Sequence, residues 1–235
     1  MSFHFRRCAP IVAAAAFVAA LGSAAAVAAA PATVDLVFYA PHFAKLQNGS
    51  TITYKFVRKA EDPKLEPSFE DVVNVKIGPQ GNENSVTVDL FSGNRAIKLP
   101  NMSKTGNPVI VALLEQDVKE MNKALGGSPF YFRNRLREAV SADTPAEPVK
   151  FQFEGKTVDG WKVTVKPFSN DGDNKSRLKE YAERSYELTF SDAVPGGLYA
   201  LKTVTPKSDG GALLTEELTV AAETAQPAGA AETAK

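Results

Sequence analysis

Two hydrophobic periods divide this chain. Over most of its length apolar residues alternate with polar ones in runs of strand length; in one stretch, Gly106 to Val140, they recur at every third or fourth position. Strand-like runs precede that stretch at 34–39, 51–58, 72–77, 86–91 and 96–99, and come after it at 149–154, 161–166, 186–190, 198–204 and 213–220. The clearest sets Ile52, Tyr54 and Phe56 against Thr51, Thr53 and Lys55, the pattern of a half-buried strand. Turn residues separate the runs: Asn48-Gly49, Gly78-Pro79-Gln80-Gly81-Asn82, Ser92-Gly93-Asn94, residues 155–160 and Pro195-Gly196-Gly197. Residues 177–183 fit either a short helix or the extended start of the next strand.

The stretch in the middle reads as a helical hairpin over 107–140. Asn107 suits the N-cap, and Pro108 stands where its missing N–H costs nothing; Gly126-Gly127 offers the left-handed residue that ends a helix. The same signal then repeats, with Ser128 as cap, Pro129 in the first turn and Asp143-Thr144-Pro145 as the stop. In the first helix Ile110, Leu114, Val118, Met121 and Leu125 form a narrow seam, and Val111 and Leu113 lie off it. Its first half is therefore buried on more than one side or lines a cavity.

About ten strands, two adjacent helices and no strand–helix–strand alternation predict an α+β fold: a curved antiparallel sheet, up to a half-barrel in extent, with the hairpin packed on one face. The two halves share an order of elements that echoes a duplication, as any antiparallel protein can.

Residues 1–29 have the three parts of a secretory signal: Arg6 and Arg7, an apolar run from Ile11 to Leu21, and a small-residue end suited to cleavage after Ala28, with Ala26 and Ala29 as alternatives. The apolar run is well short of the roughly 20 residues of a membrane span, so no membrane span is expected, and the destination read from the signal is the periplasm. Residues 30–220 are expected as a single α+β domain, and 221–235, rich in Ala, Glu, Thr, Pro and Gly, as a disordered tail. The one cysteine, Cys8, leaves with the signal, so stability rests on a core and not on disulfides. The chain has 27 basic and 27 acidic residues, and loss of Arg6 and Arg7 leaves a net charge of −2, which gives no pull toward nucleic acid.

Chemistry-bearing residues are sparse. His42, in the turn Pro41-His42-Phe43, has no Ser or carboxylate near it in sequence and reads as a turn residue with an exposed ring. Past residue 29 the chain has one histidine and no cysteine, too few for a zinc site, so neither metal nor cofactor is expected. The cluster Asn170-Asp171-Gly172-Asp173-Asn174 fails the EF-hand pattern, with Ser176 and Ala182 where Gly and Glu are needed, and reads as a solvated turn. The second helix interleaves Phe130, Tyr131, Phe132 and Leu136 with Arg133, Arg135 and Arg137. Arg133 and Arg137 share a face. That face either meets a carboxylate or an anionic headgroup, with Phe130, Phe132, Arg133 and Arg137 as the binding residues, or it packs its apolar side on the sheet while its arginines pair with Glu138 and first-helix acids.

The hairpin signature, Asn107-Pro108, Leu114-Glu115, Asp117-Val118, Met121, Gly126-Gly127-Ser128 and Tyr131-Phe132-Arg133-Asn134-Arg135, resembles an uncharacterised family of exported proteins from Gram-negative bacteria, chiefly alphaproteobacteria. Weaker echoes lie at Leu90-Phe91-Ser92-Gly93 and from Ser191 to Tyr199. The resemblance implies a periplasmic home and carries no activity. In architecture alone the expected fold is similar to the half-barrel of periplasmic lipoprotein carriers, an analogy of shape from which function does not follow.

The leading expectation is a non-enzymatic periplasmic binding protein for a lipid or other apolar or amphipathic molecule, or for an envelope protein partner. A structural envelope protein without a ligand, favoured by a fully packed interior, and a hydrolase using carboxylates or a Ser-Lys pair are the alternatives.

Overall fold

A computed structural model describes residues 29–78, 85–142 and 145–224, with the backbone alone at 173 and 222–224. Nearly all of the segment expected as a secretory signal, the turn expected at 78–82 beyond Gly78, Asp143-Thr144 and the tail from 225 onward lie outside the described residues. The fold is α+β: ten strands form one curved, open antiparallel sheet, and a helical hairpin completes the core.

Strands β1 (Thr51–Ala60), β2 (Phe69–Ile77), β3 (Ser85–Leu90), β4 (Ile97–Lys98) and β5 (Met102–Ser103) precede the hairpin. Strands β6 (Glu147–Phe153), β7 (Lys156–Val165), β8 (Ser185–Phe190), β9 (Leu198–Pro206) and β10 (Ala212–Thr224) come after it. Across the sheet the order is β4-β3-β2-β1-β10-β9-β8-β7-β6, with β5 also on β3. The two meanders meet where β1 pairs β10, in the register Phe56↔Leu218 and Arg58↔Glu216.

Alternation decides which side is buried. Ile52, Tyr54 and Phe56 of β1, Val73 and Val75 of β2, Val86 and Val88 of β3, and Leu214, Leu218 and Val220 of β10 are buried, while Lys55, Lys76, Lys202 and Glu217 face solvent. The hairpin consists of α1 (Pro108–Leu125) and α2 (Pro129–Ser141). Asn107 caps α1 by accepting from Ile110 N at 3.4 Å and also donates to Gly196 O at 3.1 Å, which ties the helix start to the β8–β9 turn. Ser128 caps α2 through Phe130 N. Val109, Ile110, Ala112, Leu113, Val118 and Met121 of α1 are all buried, so this helix is covered on more than one side.

Three expectations are corrected, and the open reading at 177–183 is decided for helix. Residues 34–39 are not a strand: Asp35–Tyr39 is a π-helical turn, closed by Ala40 N donating to Asp35 O. Leu36 and Val37, adjacent in sequence, are both buried, which a strand with one wet face cannot achieve, and Val37 O accepts from Asn107 N. The β6–β7 connection is a tight turn at Glu154 and Gly155, both at positive φ, so β7 starts at Lys156, within the stretch 155–160 expected as turn. Residues 175–178 and 179–183 are helical turns and do not extend β8. β10 runs through Thr224, so four residues assigned to the tail belong to the sheet.

Candidate functional site

Three places draw chemistry-bearing residues together. The first lies inside. On the buried face Arg58 of β1, Glu216 of β10, Thr203 of β9 and Tyr186 of β8 stand in one row across four adjacent strands, each paired in register with the next. Asp117 and Glu120 of α1 come down on this row. Arg184, with no exposed surface, sits at its centre and donates to Asp117 Oδ1 at 2.9 Å and Oδ2 at 3.1 Å, Glu216 Oε2 at 2.6 Å, Thr203 Oγ1 at 3.0 Å and Thr205 Oγ1 at 2.7 Å. Arg58 bonds Glu216 and Glu120, and Tyr186 donates to Asp117.

Burial pushes the Asp117 and Glu120 carboxyls above the usual carboxylate range, Arg184 and Arg58 pulling the other way. Burial acts on Glu216 too but is outweighed by Arg184 and Arg58, so Glu216 is held low. The crevice beside the network, between α1 and the sheet, has a volume of about 20 Å³, room for a single water. The network therefore pins α1 to the sheet.

The second place is a cleft of about 1170 Å³ at the β6–β7 end of the sheet. Its walls are Leu36 and His42 of the N-terminal segment, Val149, Val158 and Trp161 of the β6–β7 hairpin, and Phe190 at the end of β8. His42 is half-buried, not an exposed turn residue as its sequence context suggests. Its ring stacks on Phe190 at 5.6 Å, and Nε2–H donates to Leu36 O at 2.5 Å. Burial pushes the imidazole below its ordinary 6.5, against the Leu36 carbonyl and Asp192, so the ring is neutral at pH 7. Gly197 makes this packing possible: its φ is 74°, and a Cβ there would meet His42 Nδ1 at 2.1 Å. The fold also brings Ser191 and Asp192 to the same cleft. The Ser191 hydroxyl donates to Asp159 O at 2.6 Å and accepts from Ala193 N at 3.2 Å, so it braces the turn and is not poised as a nucleophile.

The third place is the outside of the hairpin. Phe130 is 71% exposed, and the Arg133 guanidinium lies 5.5 Å from its ring. Arg133 forms two parallel bonds to Glu115 of α1, at 2.6 and 2.7 Å, which hold the Glu115 carboxyl below its usual range. Arg137 is exposed and donates to Asn134 Oδ1 at 3.3 Å. Phe132 stands apart from these three, buried against Phe168 in the core. Arg133 and Arg137 share a groove of about 150 Å³ with Phe38, Val111, Leu114, Val118 and Leu136.

The loop at 170–174 is corrected in one respect. Asp171 is buried, not solvated, and accepts from Tyr131 and Arg135, so it fastens α2 to the loop after β7. Among the described residues no group of three or more His, Cys, Asp or Glu is placed to hold a metal ion, and no helix is long and apolar enough to cross a membrane.

No family model matches the sequence, and no curated protein does. Among solved structures, a LolA superfamily protein from Nitrosomonas europaea aligns over 83% of this chain and 90% of its own, with 9% identity and a TM-score of 0.21. A likeness at that score bears on neither the site nor the function.

The network left a signal in the sequence. Arg58 continues the inward phase of Ile52, Tyr54 and Phe56, and Glu216 stands between Leu214 and Leu218 in the inward phase of β10. A charge in an apolar phase needs a buried partner of opposite sign.

Proposed function

We propose that this protein is a non-enzymatic binding protein, exported to the periplasm, that holds an apolar or amphipathic small molecule in the cleft formed by the N-terminal segment, the β6–β7 hairpin and the end of β8. The observation that carries this reading is the cleft itself. At about 1170 Å³ it is on the scale of small-molecule sites, ~300–1,000 Å³, and Leu36, Val149, Val158, Trp161 and Phe190 give it an apolar lining. His42 adds one neutral polar group to the wall: its Nε2–H is taken by Leu36 O, which leaves Nδ1 as an acceptor suited to a hydroxyl of an otherwise apolar ligand. Export rests on the signal-like residues 1–29.

The chain has a single tryptophan, and it lies in the cleft. Titration of the mature protein with a single-chain amphiphile below its micelle concentration should shift Trp161 emission to shorter wavelength and saturate. Val158→Glu, which sets a carboxylate in the lining, should abolish the response. A wild-type emission spectrum unchanged across the titration would refute the reading.

One observation favours a second reading, a structural envelope protein without a ligand. Among the described residues the facing side chains of hairpin and sheet are buried together, and the crevice beside the ionic network measures only about 20 Å³.

A further inference from the structure

We propose that the groove on the outside of the hairpin docks a protein partner through a peptide segment that carries one large apolar side chain beside a carboxylate. The groove is distinct from the cleft and shares no lining residue with it.

Size selects the first half of that partner. At about 150 Å³ the groove is well below the ~300 Å³ at which sites for free small molecules begin. It matches an inserted side chain. Its floor, Phe38, Val111, Leu114, Val118 and Leu136, is apolar throughout.

Charge selects the second half. Two arginines and one glutamate line the groove, and Glu115 is already engaged by Arg133 at both oxygens. Arg137 remains, exposed and bonded to the neutral Asn134 amide. A guanidinium so placed can donate two parallel bonds to a carboxylate. The surroundings agree: the two large aromatic side chains most open to solvent among the described residues are Phe130 at 71% and Tyr39 at 65%. Phe130 lies over Arg133, and Tyr39 comes directly after Phe38 in the chain. An exposed aromatic ring beside a groove-lining arginine, next to a small apolar pocket, is the composition of a protein–protein anchor point. A membrane surface fits less well, since the chain carries 27 basic and 27 acidic residues and the feature is a concavity, not a broad apolar stripe.

The test uses two fluorescein-labelled helical peptides that differ at one position, with Leu followed one turn later by Glu in one and by Lys in the other. Their binding to the whole mature protein is read by fluorescence anisotropy. The Glu peptide should bind at least about tenfold more tightly than the Lys peptide, and Arg137→Glu should reverse that order. The same substitution should leave the Trp161 response of the cleft unchanged. Failure of the Glu peptide to bind, equal binding of the two, or an order that survives Arg137→Glu would each overturn the proposal. So would binding to phosphatidylglycerol vesicles that is lost in Arg137→Glu while the peptides are not distinguished, because the occupant would then be a lipid surface.

Discussion

Arg184→Met tests the ionic network at its centre. The guanidinium makes contacts to Asp117, Glu216, Thr203, Thr205 and Tyr186 and has no exposed surface. Methionine fills a similar space and supplies none of them. Glu216 keeps Arg58 and Thr203, but Asp117 keeps only Tyr186 and becomes a buried carboxylate without a cation. Breaking a buried pair from one side costs about 3–5 kcal/mol, a large share of the ~5–15 kcal/mol that holds a domain together. The loss should depend on pH with a definite sign. Burial already raises the folded pKa of Asp117, and removing Arg184 raises it further above the unfolded value. An acid so shifted contributes stability that is complete below its unfolded pKa and is lost as pH rises through its folded pKa. The deficit of the variant should therefore be largest at pH 8 and shrink toward pH 5. Urea unfolding tracked by circular dichroism at both pH values measures it. A second substitution, Asp117→Leu in the Arg184→Met background, removes the stranded charge and should restore most of the loss. A deficit below about 1 kcal/mol, or one equal at the two pH values, would refute the reasoning.

Other sites yield predictions of the same kind. The Tyr54 hydroxyl is the one buried side-chain polar atom without a hydrogen-bond partner among the described residues, and burial raises its pKa; Tyr54→Phe should stabilise the protein by about 1 kcal/mol in urea unfolding, and a loss of that size would show a partner at the site. Gly197→Ala places a methyl 2.1 Å from His42 Nδ1 at a φ of 74°, so it should cost about 1–3 kcal/mol and move the His42 ring resonances in NMR spectra. Asn107→Ala removes both the cap on α1 and the bond to Gly196 O, and should cost about 1–2 kcal/mol by the same assay. His42 has a lowered folded pKa, so the stability it contributes is present above its ordinary 6.5 and is lost as pH falls through the folded value; His42→Asn should flatten that part of the stability profile.

The strands and the hairpin were legible because their burial has a period. Ile52, Tyr54 and Phe56 are all buried, and both helix caps lie where Asn107 and Ser128 indicate. The turn at 35–39 was not, because Leu36 and Val37 are buried side by side through contacts with the start of α1 that lies about 70 residues away, and a local pattern carries no trace of such contacts. The tight β6–β7 turn was masked by Val158 and Gly160, whose spacing reads as loop until Phe151 is seen to lie on Gly160, whose missing Cβ leaves room for the ring. The ionic row was half legible, as charges in an apolar phase, but its register across four strands is a property of the sheet. The cleft was not legible at all: its walls come from residues 36–42, 148–161 and 190–197, which only the fold brings together.

Native mass spectrometry of the protein purified from a Gram-negative bacterium that expresses the whole chain, followed by solvent extraction, tests the binding reading most directly. A mass in excess of the chain that extracts as an apolar or amphipathic molecule, and that is lost in Val158→Glu, is the predicted result. A bare chain mass in the wild type, with Trp161 emission unchanged by extraction, would contradict it and leave the packed, ligand-free scaffold as the account of this fold.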